Sequence, residues 1–291
     1  MNRKLFSGSY WFFEDTEKLD EPSSPVWGLL PQEELYSGKS PYQDIEVFQS
    51  EGYGRVLALD GLVQLSTEHE FVYHEMLTHP AILYHNDPKK VLIIGGGDGG
   101  SLREIAKHPV EEILLVEIDQ QVIEVSKKHL PSLSQGAFED PRLTVINDDA
   151  ANLIKEYQGE FDMIISDCTD AFGASEALWS APFYKLVLEA LGEGGVACFQ
   201  TGYFKETFAR KGRREIKRTF PFSLVYRAYV GCFPFDECSF TVASKTIDFG
   251  TVGYAEIAER YGRLNIRTYY YSPEIHFASL VIPTCYEEKC Y

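Results

Sequence analysis

From residue 90 to residue 200 the sequence alternates short apolar runs with segments that have helical periodicity. The apolar runs read KVLIIGGG, ILLVEID, LTVIND, FDMIISD and GGVACFQ, and the segments between them include SLREIAKH, VIEVSKKHL and PFYKLVLEAL. Several runs are apolar throughout, which is typical of parallel strands that are buried on both faces. The alternation therefore predicts an α/β fold with a doubly wound parallel sheet.

A glycine-rich turn, Gly95-Gly96-Gly97-Asp98-Gly99-Gly100, joins the first of these strands to the following helix. Glycines such as Gly95 and Gly97 let the backbone approach a ligand closely, and the helix N-terminus adds partial positive charge. Dinucleotide-binding turns look similar, but the Asp98 carboxylate would repel a pyrophosphate. The turn predicts a ligand that presents a cation to Asp98; the alternative is a tight turn with a solvent-facing aspartate.

Acidic residues follow the next strands. Glu117 lies about 20 residues after the glycine turn, where an acid in nucleoside-binding sheets accepts hydrogen bonds from ribose hydroxyls. Asp148 and Asp149 end the third strand, where a carboxylate could receive the adenine amino group. Helix capping is the alternative role for each of these acids. Together with the glycine turn they predict an adenosine moiety without phosphates.

Asp167 and Asp170 follow the fourth strand, so four strands deliver acids to one carboxyl-end crevice, where doubly wound sheets bind ligands. A magnesium cluster is the alternative explanation, because metals also gather carboxylates. His69, His74 and His79 do not suggest a metal site, since five-residue spacing turns successive helical side chains by roughly 140°. We expect no bound metal.

The region before the glycine turn has a different pattern. Short strands are expected in DIEVFQSE, RVLALD and LVQLS, with a hairpin at Asp60-Gly61. A helix is expected from His69 to Tyr84, with Thr67 as its cap. We therefore predict a β-strand domain over residues 1–68 and a catalytic domain over residues 69–291.

The region after Phe204 begins with a locally basic segment. Its cations, Arg210, Lys211, Arg213 and Arg214, are expected on a solvated helix face. Two strand candidates, SLVYRAYVG and SFTVASK, follow this segment. A last helix is expected to open at Ser272-Pro273-Glu274, with the serine as cap and the proline at the first helical position.

The net charge and the cysteines indicate which partners and which compartment suit the chain. The 44 acidic and 27 basic residues give a formal net charge of −17, which disfavours nucleic acid and acidic membrane surfaces and favours cationic ligands. The alternative is that this negative charge belongs to an ordinary soluble surface and has no role in ligand binding. The six cysteines form no CxxC pair and the N-terminus lacks a signal-peptide pattern, so we expect reduced thiols and a cytoplasmic protein without a transmembrane segment.

Taken together, these motifs resemble the spermidine synthase family of polyamine aminopropyltransferases over nearly the whole chain. The segments that carry the resemblance are YQDIEVF, GRVLALDGLVQLSTEHEFVYHEML, VLIIGGGDGGSLREIAKH, VEIDQQVIEVSKKHLP, FDMIISDCTD and YYYSPEIHFASLVIP. The resemblance implies a methyltransferase-like (Rossmann-like) catalytic domain and an N-terminal β-domain that forms homodimers or homotetramers.

The implied activity is transfer of the aminopropyl group of decarboxylated S-adenosylmethionine to a polyamine acceptor, putrescine or a related amine. The products would be spermidine or an analogue, and methylthioadenosine. The donor is a co-substrate, and no further cofactor is expected. The alternatives are a methyltransferase that uses intact S-adenosylmethionine and a catalytically silent, nucleoside-binding homologue.

The resemblance also implies roles for individual residues. Asp167 would deprotonate the attacking nitrogen and Tyr73 would position it, while Asp170 would face the distal amine of the acceptor. The donor would be bound by Gln43, Gln64, His74, Gly95, Gly97, Asp98, Glu117, Asp148 and Asp149.

Two departures from the family pattern concern the acceptor. Phe233 stands where the family commonly has a tyrosine that helps to hold the acceptor. The loop from Asp170 to Leu178 lacks the usual prolines and has Ala171 and Ala174 instead. Both changes predict a more apolar and more adaptable acceptor pocket.

Overall fold

The computed structural model describes residues 3–15 and 27–287. The strands are β1 (Arg3–Phe6), β2 (Ser9–Phe13), β3 (Gly28–Leu29), β4 (Pro31–Lys39), β5 (Asp44–Ser50), β6 (Gly54–Leu59), β7 (Leu62–Ser66), β8 (Lys90–Gly95), β9 (Glu112–Val116), β10 (Leu143–Ile146), β11 (Phe161–Asp167), β12 (Leu191–Tyr203), β13 (Phe222–Ala228) and β14 (Cys238–Ser244). The helices are α1 (Glu70–Tyr84), α2 (Gly100–Ala106), α3 (Gln120–His129), α4 (Pro131–Ser134), α5 (Ala150–Leu153), α6 (Ala181–Ala190), α7 (Thr207–Thr219), α8 (Tyr254–Leu264), α9 (Pro273–Ser279) and α10 (Thr284–Glu287).

A seven-stranded sheet in the order β10-β9-β8-β11-β12-β14-β13 forms the centre of the chain. Alternate residues of β8 enter two different cores: Val91 and Ile93 pack on one face, and Leu92 and Ile94 on the other. Because helices cover both faces, the predicted doubly wound, methyltransferase-like fold is confirmed.

The sheet is not parallel throughout. The strands β10, β9, β8, β11 and β12 pair in parallel, whereas β14 pairs antiparallel with both β12 and β13. The segment from residue 229 to residue 237 joins β13 to β14 with no crossover helix, so this pair forms a hairpin-like antiparallel edge. The two strand candidates expected after Phe204 are these two strands.

The N-terminal region forms two small antiparallel sheets, of which the larger has the order β4-β5-β6-β7. The expected hairpin at Asp60-Gly61 is present, and both residues have positive φ, 51° and 80°, as tight two-residue hairpin turns require. The sheet formed by β1, β2 and β3 was not predicted. The predicted division between residues 68 and 69 falls between β7 and α1.

Three local predictions are corrected or refined. Thr67 does not cap α1, because its hydroxyl accepts a hydrogen bond from the Arg55 backbone N–H. Arg213 is not solvated: it is fully buried and donates to the carbonyl oxygens of Thr201 and Phe204. Ser272 does cap α9, but the short helix α10 follows, so α9 is not the last helix.

Among residues 3–15 and 27–287, no helix is both long enough and apolar enough to cross a bilayer.

Candidate active site

A deep cleft opens at the carboxyl ends of β8, β9, β10 and β11, between the central sheet and the N-terminal β-region. The structure brings all the predicted site residues to this cleft. They are Gln43, Gln64, Tyr73, His74, Gly95, Gly97, Asp98, Glu117, Asp148, Asp149, Asp167, Asp170 and Phe233.

Asp167, at the end of β11, lies at the middle of the cleft. The Tyr73 hydroxyl donates to its Oδ1 at 2.8 Å, and the Ser101 hydroxyl donates to its Oδ2 at 2.6 Å. Burial, and then the nearby charge of Asp98, raise the pKa of Asp167 above its usual value. Burial also raises the pKa of Tyr73, so the phenol keeps its proton. Ser101 was not predicted, since a serine in a helix gives no sequence signal of this contact.

The glycine turn places Asp98 beside Asp167. Gly95 and Gly96 have φ of 78° and 70°, and the Gly96 N–H donates to the Asp167 carbonyl oxygen at 3.0 Å. A Cβ at Gly95 would clash with that carbonyl, so the close approach of the two strand ends requires glycine here. The Asp98 Oδ1 accepts the Gly100 N–H at 2.7 Å, and no described residue donates to its Oδ2.

His74 lies against Asp98, almost fully buried. Its Nδ1 is 2.6 Å from Glu70 Oε2 and its Nε2 is 3.3 Å from Asp98 Oδ1. Burial alone would lower the pKa of His74, but the Asp98 and Glu70 carboxylates outweigh burial and raise this pKa well above its usual value. The raised pKa of His74 favours its imidazolium form, and the His74 ring holds the pKa of Asp98 below the usual value despite the burial of Asp98.

His74, Asp98 and Asp167 also lie close enough together to hold a metal ion. The contacts of His74 favour a charge cluster over a metal site, because both of its ring nitrogens lie beside carboxylate oxygens, of Glu70 at 2.6 Å and of Asp98 at 3.3 Å. The trio is a charge cluster, in which one cation lies between carboxylates.

The Glu117 carboxylate accepts hydrogen bonds from two backbone N–H groups. Its Oε2 accepts from Gly97 at 3.2 Å and its Oε1 accepts from Asp119 at 2.9 Å. Burial raises the pKa of Glu117 to about 7. The capping role belongs to Asp119, which accepts the Gln121 N–H at the start of α3, so Glu117 is left to face the cleft. Asp119 also accepts a hydrogen bond from the Gln43 amide at 2.8 Å, which fixes Gln43 at the same wall.

Asp148 and Asp149 both line the cleft, but they differ in their partners. Asp149 caps α5 by accepting the Ala151 N–H at 2.8 Å, and it also accepts from the Asn152 amide. Asp148 accepts the Asp149 N–H at 2.7 Å. One of the pair is thus a cap, and the adenine contact predicted for Asp149 stays a prediction.

The opposite end of the cleft contains an acid that the sequence analysis missed. Glu14 follows β2, and its carboxylate accepts from the Val63 N–H at 3.0 Å and from the Trp27 indole N–H. Burial raises the pKa of Glu14 to about 7, with a smaller contribution from the charge of Asp170. Burial raises the pKa of Asp170 to about 6. Glu14 lies in an aromatic and acidic segment, SYWFFED, that carries no recognisable site motif.

Aromatic rings form one wall of this end. The Phe233 ring packs edge-on against Tyr73 and Tyr203, with both centroid distances 6.3 Å. The loop after Asp170 is fixed at its centre, because the buried Ser175 hydroxyl donates to the Phe172 carbonyl at 2.9 Å and also to the Asp170 carbonyl. These bonds restrain the loop that lacks prolines.

Comparison with known proteins gives matches along most of the chain. The profile of the spermine/spermidine synthase domain matches residues 70–251, and the profile of the spermidine synthase tetramerisation domain matches residues 32–67. A polyamine aminopropyltransferase from Desulforudis audaxviator is 42% identical, over 94% of this chain and 96% of its own. One from Clostridium tetani is 40% identical, over 90% of this chain and 92% of its own.

Two solved structures have the same fold. A spermidine synthase in complex with the transition-state analogue AdoDATO superposes with a TM-score of 0.90 at 35% identity, covering 96% of this chain and 94% of its own. The spermidine synthase from Thermotoga maritima gives a TM-score of 0.88 at 34% identity, covering 100% of this chain and 96% of its own.

Proposed function

Because the chain belongs to the spermine/spermidine synthase family, it is a polyamine aminopropyltransferase, and we propose how its cleft carries out the transfer. The donor is decarboxylated S-adenosylmethionine and the acceptor is a primary amine of a polyamine. One observation carries the proposal: two half-buried carboxylates, Asp98 and Asp167, lie together at the sheet edge but differ in their partners. Asp98 lies beside the His74 ring, whereas the hydrogen-bond donors to the Asp167 carboxylate within the described residues are the neutral hydroxyls of Tyr73 and Ser101.

The donor occupies the end of the cleft that the glycine turn and strand ends build. Glu117 accepts from the ribose hydroxyls, and the Asp148-Asp149 pair faces the adenine. Asp98 receives the terminal ammonium of the aminopropyl chain through Oδ2, the oxygen to which no described residue donates. This assignment disfavours methyltransferase activity, because the carboxylate of intact S-adenosylmethionine would lie close to Asp98 and be repelled.

The acceptor occupies the end lined by Glu14, Asp170 and the aromatic wall. Its distal ammonium lies between the two carboxylates, and its reacting nitrogen lies beside Tyr73 and Asp167. The nitrogen lone pair forms a bond to the methylene carbon next to the donor's sulfonium, and the carbon–sulfur electron pair stays on sulfur as methylthioadenosine leaves. Asp167 takes the proton from the nitrogen, a role that its raised pKa favours. The step needs no cofactor.

The tetramerisation-domain match and the cysteines support proposals about the oligomer and the compartment of this protein. Residues 32–67, which match the tetramerisation domain, form the sheet β4 to β7, and we propose that this sheet builds a homodimer or homotetramer. The five cysteines of the described residues are all unpaired, which supports a reducing compartment such as the cytoplasm.

The proposed reaction is tested by product analysis. Incubation with decarboxylated donor and a panel of polyamines is expected to give methylthioadenosine and the aminopropylated amine in equal amounts, measured by mass spectrometry. Intact S-adenosylmethionine with the same amines is the control, and a methylated amine from that control would favour the methyltransferase alternative. Absence of product with either donor would favour a silent homologue.

We expect that putrescine is not the preferred acceptor. Phe233 cannot donate the hydrogen bond that a tyrosine would, so a short diamine is held less firmly on that wall. We predict a lower kcat/KM for putrescine than for at least one of cadaverine, agmatine and spermidine, and a shift toward putrescine in Phe233→Tyr. Phe235→Tyr, which adds the same hydroxyl elsewhere in the cleft, is the matched control. A wild-type preference for putrescine that Phe233→Tyr leaves unaltered would contradict this prediction.

A further inference from the structure

A row of buried charged side chains runs from the cleft to the surface between α1 and α2. Beyond Asp98 and His74 it continues through Glu70, Arg103 and Glu104 to Lys107. Arg103 donates to both Glu70 oxygens, at 2.8 and 3.0 Å, and to Glu104 at 2.6 Å. Lys107 donates to Glu104 at 2.6 Å and is partly exposed. The donor-binding and catalytic roles proposed above use only the first two members of this row.

The signs of the charges alternate along the row. Glu70 and Arg103 are each 6% exposed and Glu104 is fully buried, so an unpaired charge among them would be costly. With His74 protonated, three cations balance three carboxylates. With His74 neutral, the row would hold an excess negative charge next to Asp167. Charge balance among these six side chains and the two carboxylate contacts of its ring both favour an imidazolium at His74, and the buried His79, with Nε2 2.8 Å from Glu104 Oε2, is a further neighbour of the row.

The charged and titratable groups that face His74 come from four elements. They are Glu70 and Tyr73 on α1, Asp98 in the glycine turn, Arg103 on α2 acting through Glu70, and Asp167 at the end of β11. Among these, Glu70 is the only group that hydrogen-bonds the ring without touching the cleft. The ring also packs on Gly100, where a Cβ would clash with it, so the glycine leaves room for the His74 ring on that side.

We propose that Glu70 is a positioning residue for the transfer: its bond to Nδ1 keeps His74 charged, so that the Nε2–H holds the Asp98 carboxylate toward the ammonium of the donor. The placement of that ammonium rests on the proposed function, whereas the charge state of His74 does not. Glu104 and Lys107 extend the row to solvent and fix Arg103, which in turn orients the Glu70 carboxylate.

The experiment measures the charge of His74 in the substrate-free enzyme, by NMR titration of histidine ring signals, with His74→Asn identifying the His74 signal. In the wild type, His74 is expected to be charged at neutral pH, whereas His276, whose pKa burial lowers to about 4, is expected to be neutral. A neutral wild-type His74 would overturn the proposal even if no variant folds.

Two variants then distinguish the effect of the Glu70 charge on His74 from a general loss of stability. Glu70→Gln removes the negative charge 2.6 Å from Nδ1, so the pKa of His74 is expected to fall by about one to three units. Arg103→Met breaks the same buried ion pair but leaves Glu70 charged, so the pKa of His74 is expected to stay the same or rise. Both variants lose stability, which is why thermal melting alone does not distinguish them.

Kinetics gives the functional readout. In Glu70→Gln, KM for the decarboxylated donor is expected to rise about tenfold above the new His74 pKa and to recover below it, with a smaller change in kcat. Arg103→Met is expected to lack this pH dependence. An equal fall in the His74 pKa in both variants, or no fall in Glu70→Gln, would overturn the proposal. The expected titration together with absence of aminopropyl transfer would instead overturn the proposed function alone.

Discussion

Asp167→Asn is expected to lower kcat at least tenfold, and by as much as about 10⁴-fold, while the fold and most of the donor affinity are preserved. Asparagine has nearly the same volume as aspartate and still accepts the Tyr73 hydroxyl, but it does not take a proton from the acceptor nitrogen. The measurement is steady-state kcat and KM with both substrates, together with the dissociation constant for the donor.

The pH dependence provides a second readout of the same substitution. Since burial and Asp98 raise the pKa of Asp167, the wild-type kcat is expected to fall as the pH drops through that pKa and the base becomes protonated. The pH profile of Asp167→Asn should lack this acidic limb, the fall in kcat at low pH. Ser101→Ala is a matched control, because it removes a donor to the same carboxylate but leaves the base, so it should move the limb to higher pH and cost less activity.

Normal turnover of Asp167→Asn at neutral pH, with unchanged donor affinity, would show that the proton goes elsewhere. Tyr73→Phe tests the partner of Asp167 in the same way. Its expected effect is also at least tenfold on kcat, because the nitrogen loses the group that orients it and Asp167 loses a hydrogen bond.

Asp98→Asn is expected to abolish the preference for the decarboxylated donor. The wild type should bind this donor far more tightly than intact S-adenosylmethionine, because Asp98 attracts the ammonium and repels the carboxylate of the intact compound. Removal of one partner from a buried ion pair costs about 3–5 kcal/mol, so the affinity for the decarboxylated donor should fall by about 10²-fold or more. Calorimetric titration with both compounds measures the difference.

The control for Asp98→Asn lies at the other end of the donor. Asp148→Asn should weaken both compounds by the same factor, because they share the adenosine moiety. Equal affinity of the wild-type enzyme for the two compounds would remove the electrostatic reason for its donor choice, whatever the variants show.

The sequence predicted which strand-end residues gather in the cleft, because this part of the cleft is made of local patterns. Gly95 to Gly100, Glu117 and the Asp148-Asp149 pair each follow a recognisable strand, and the carboxyl ends of parallel strands meet at one edge. The fold class needed only the alternation of strand and helix patterns. The antiparallel edge formed by β13 and β14 was less visible, since an apolar strand has the same pattern in either direction.

The missed residues depend on contacts between distant segments. Glu14 reaches the acceptor end only because β2 and Trp27 pack beside Val63, and no local pattern encodes that packing. The fully buried Arg213 was misassigned because its helix is basic all along one side, and burial depends on which carbonyl oxygens its neighbours present. Glu70 was not singled out either, because its bonds to His74 and Arg103 depend on how α1 and α2 pack.

The two ends of the cleft are built from different kinds of chain segment. The proposed donor end is built largely of strand ends and the glycine turn, which the central sheet holds in register, whereas Glu14, Asp170 and Phe233 of the proposed acceptor end lie on connecting segments. Substitutions in the connecting segments leave the sheet pairing intact. A change of side chain at Glu14 or Phe233 can therefore alter the shape and charge of one end of the cleft without moving the strand ends that carry Asp98 and Glu117.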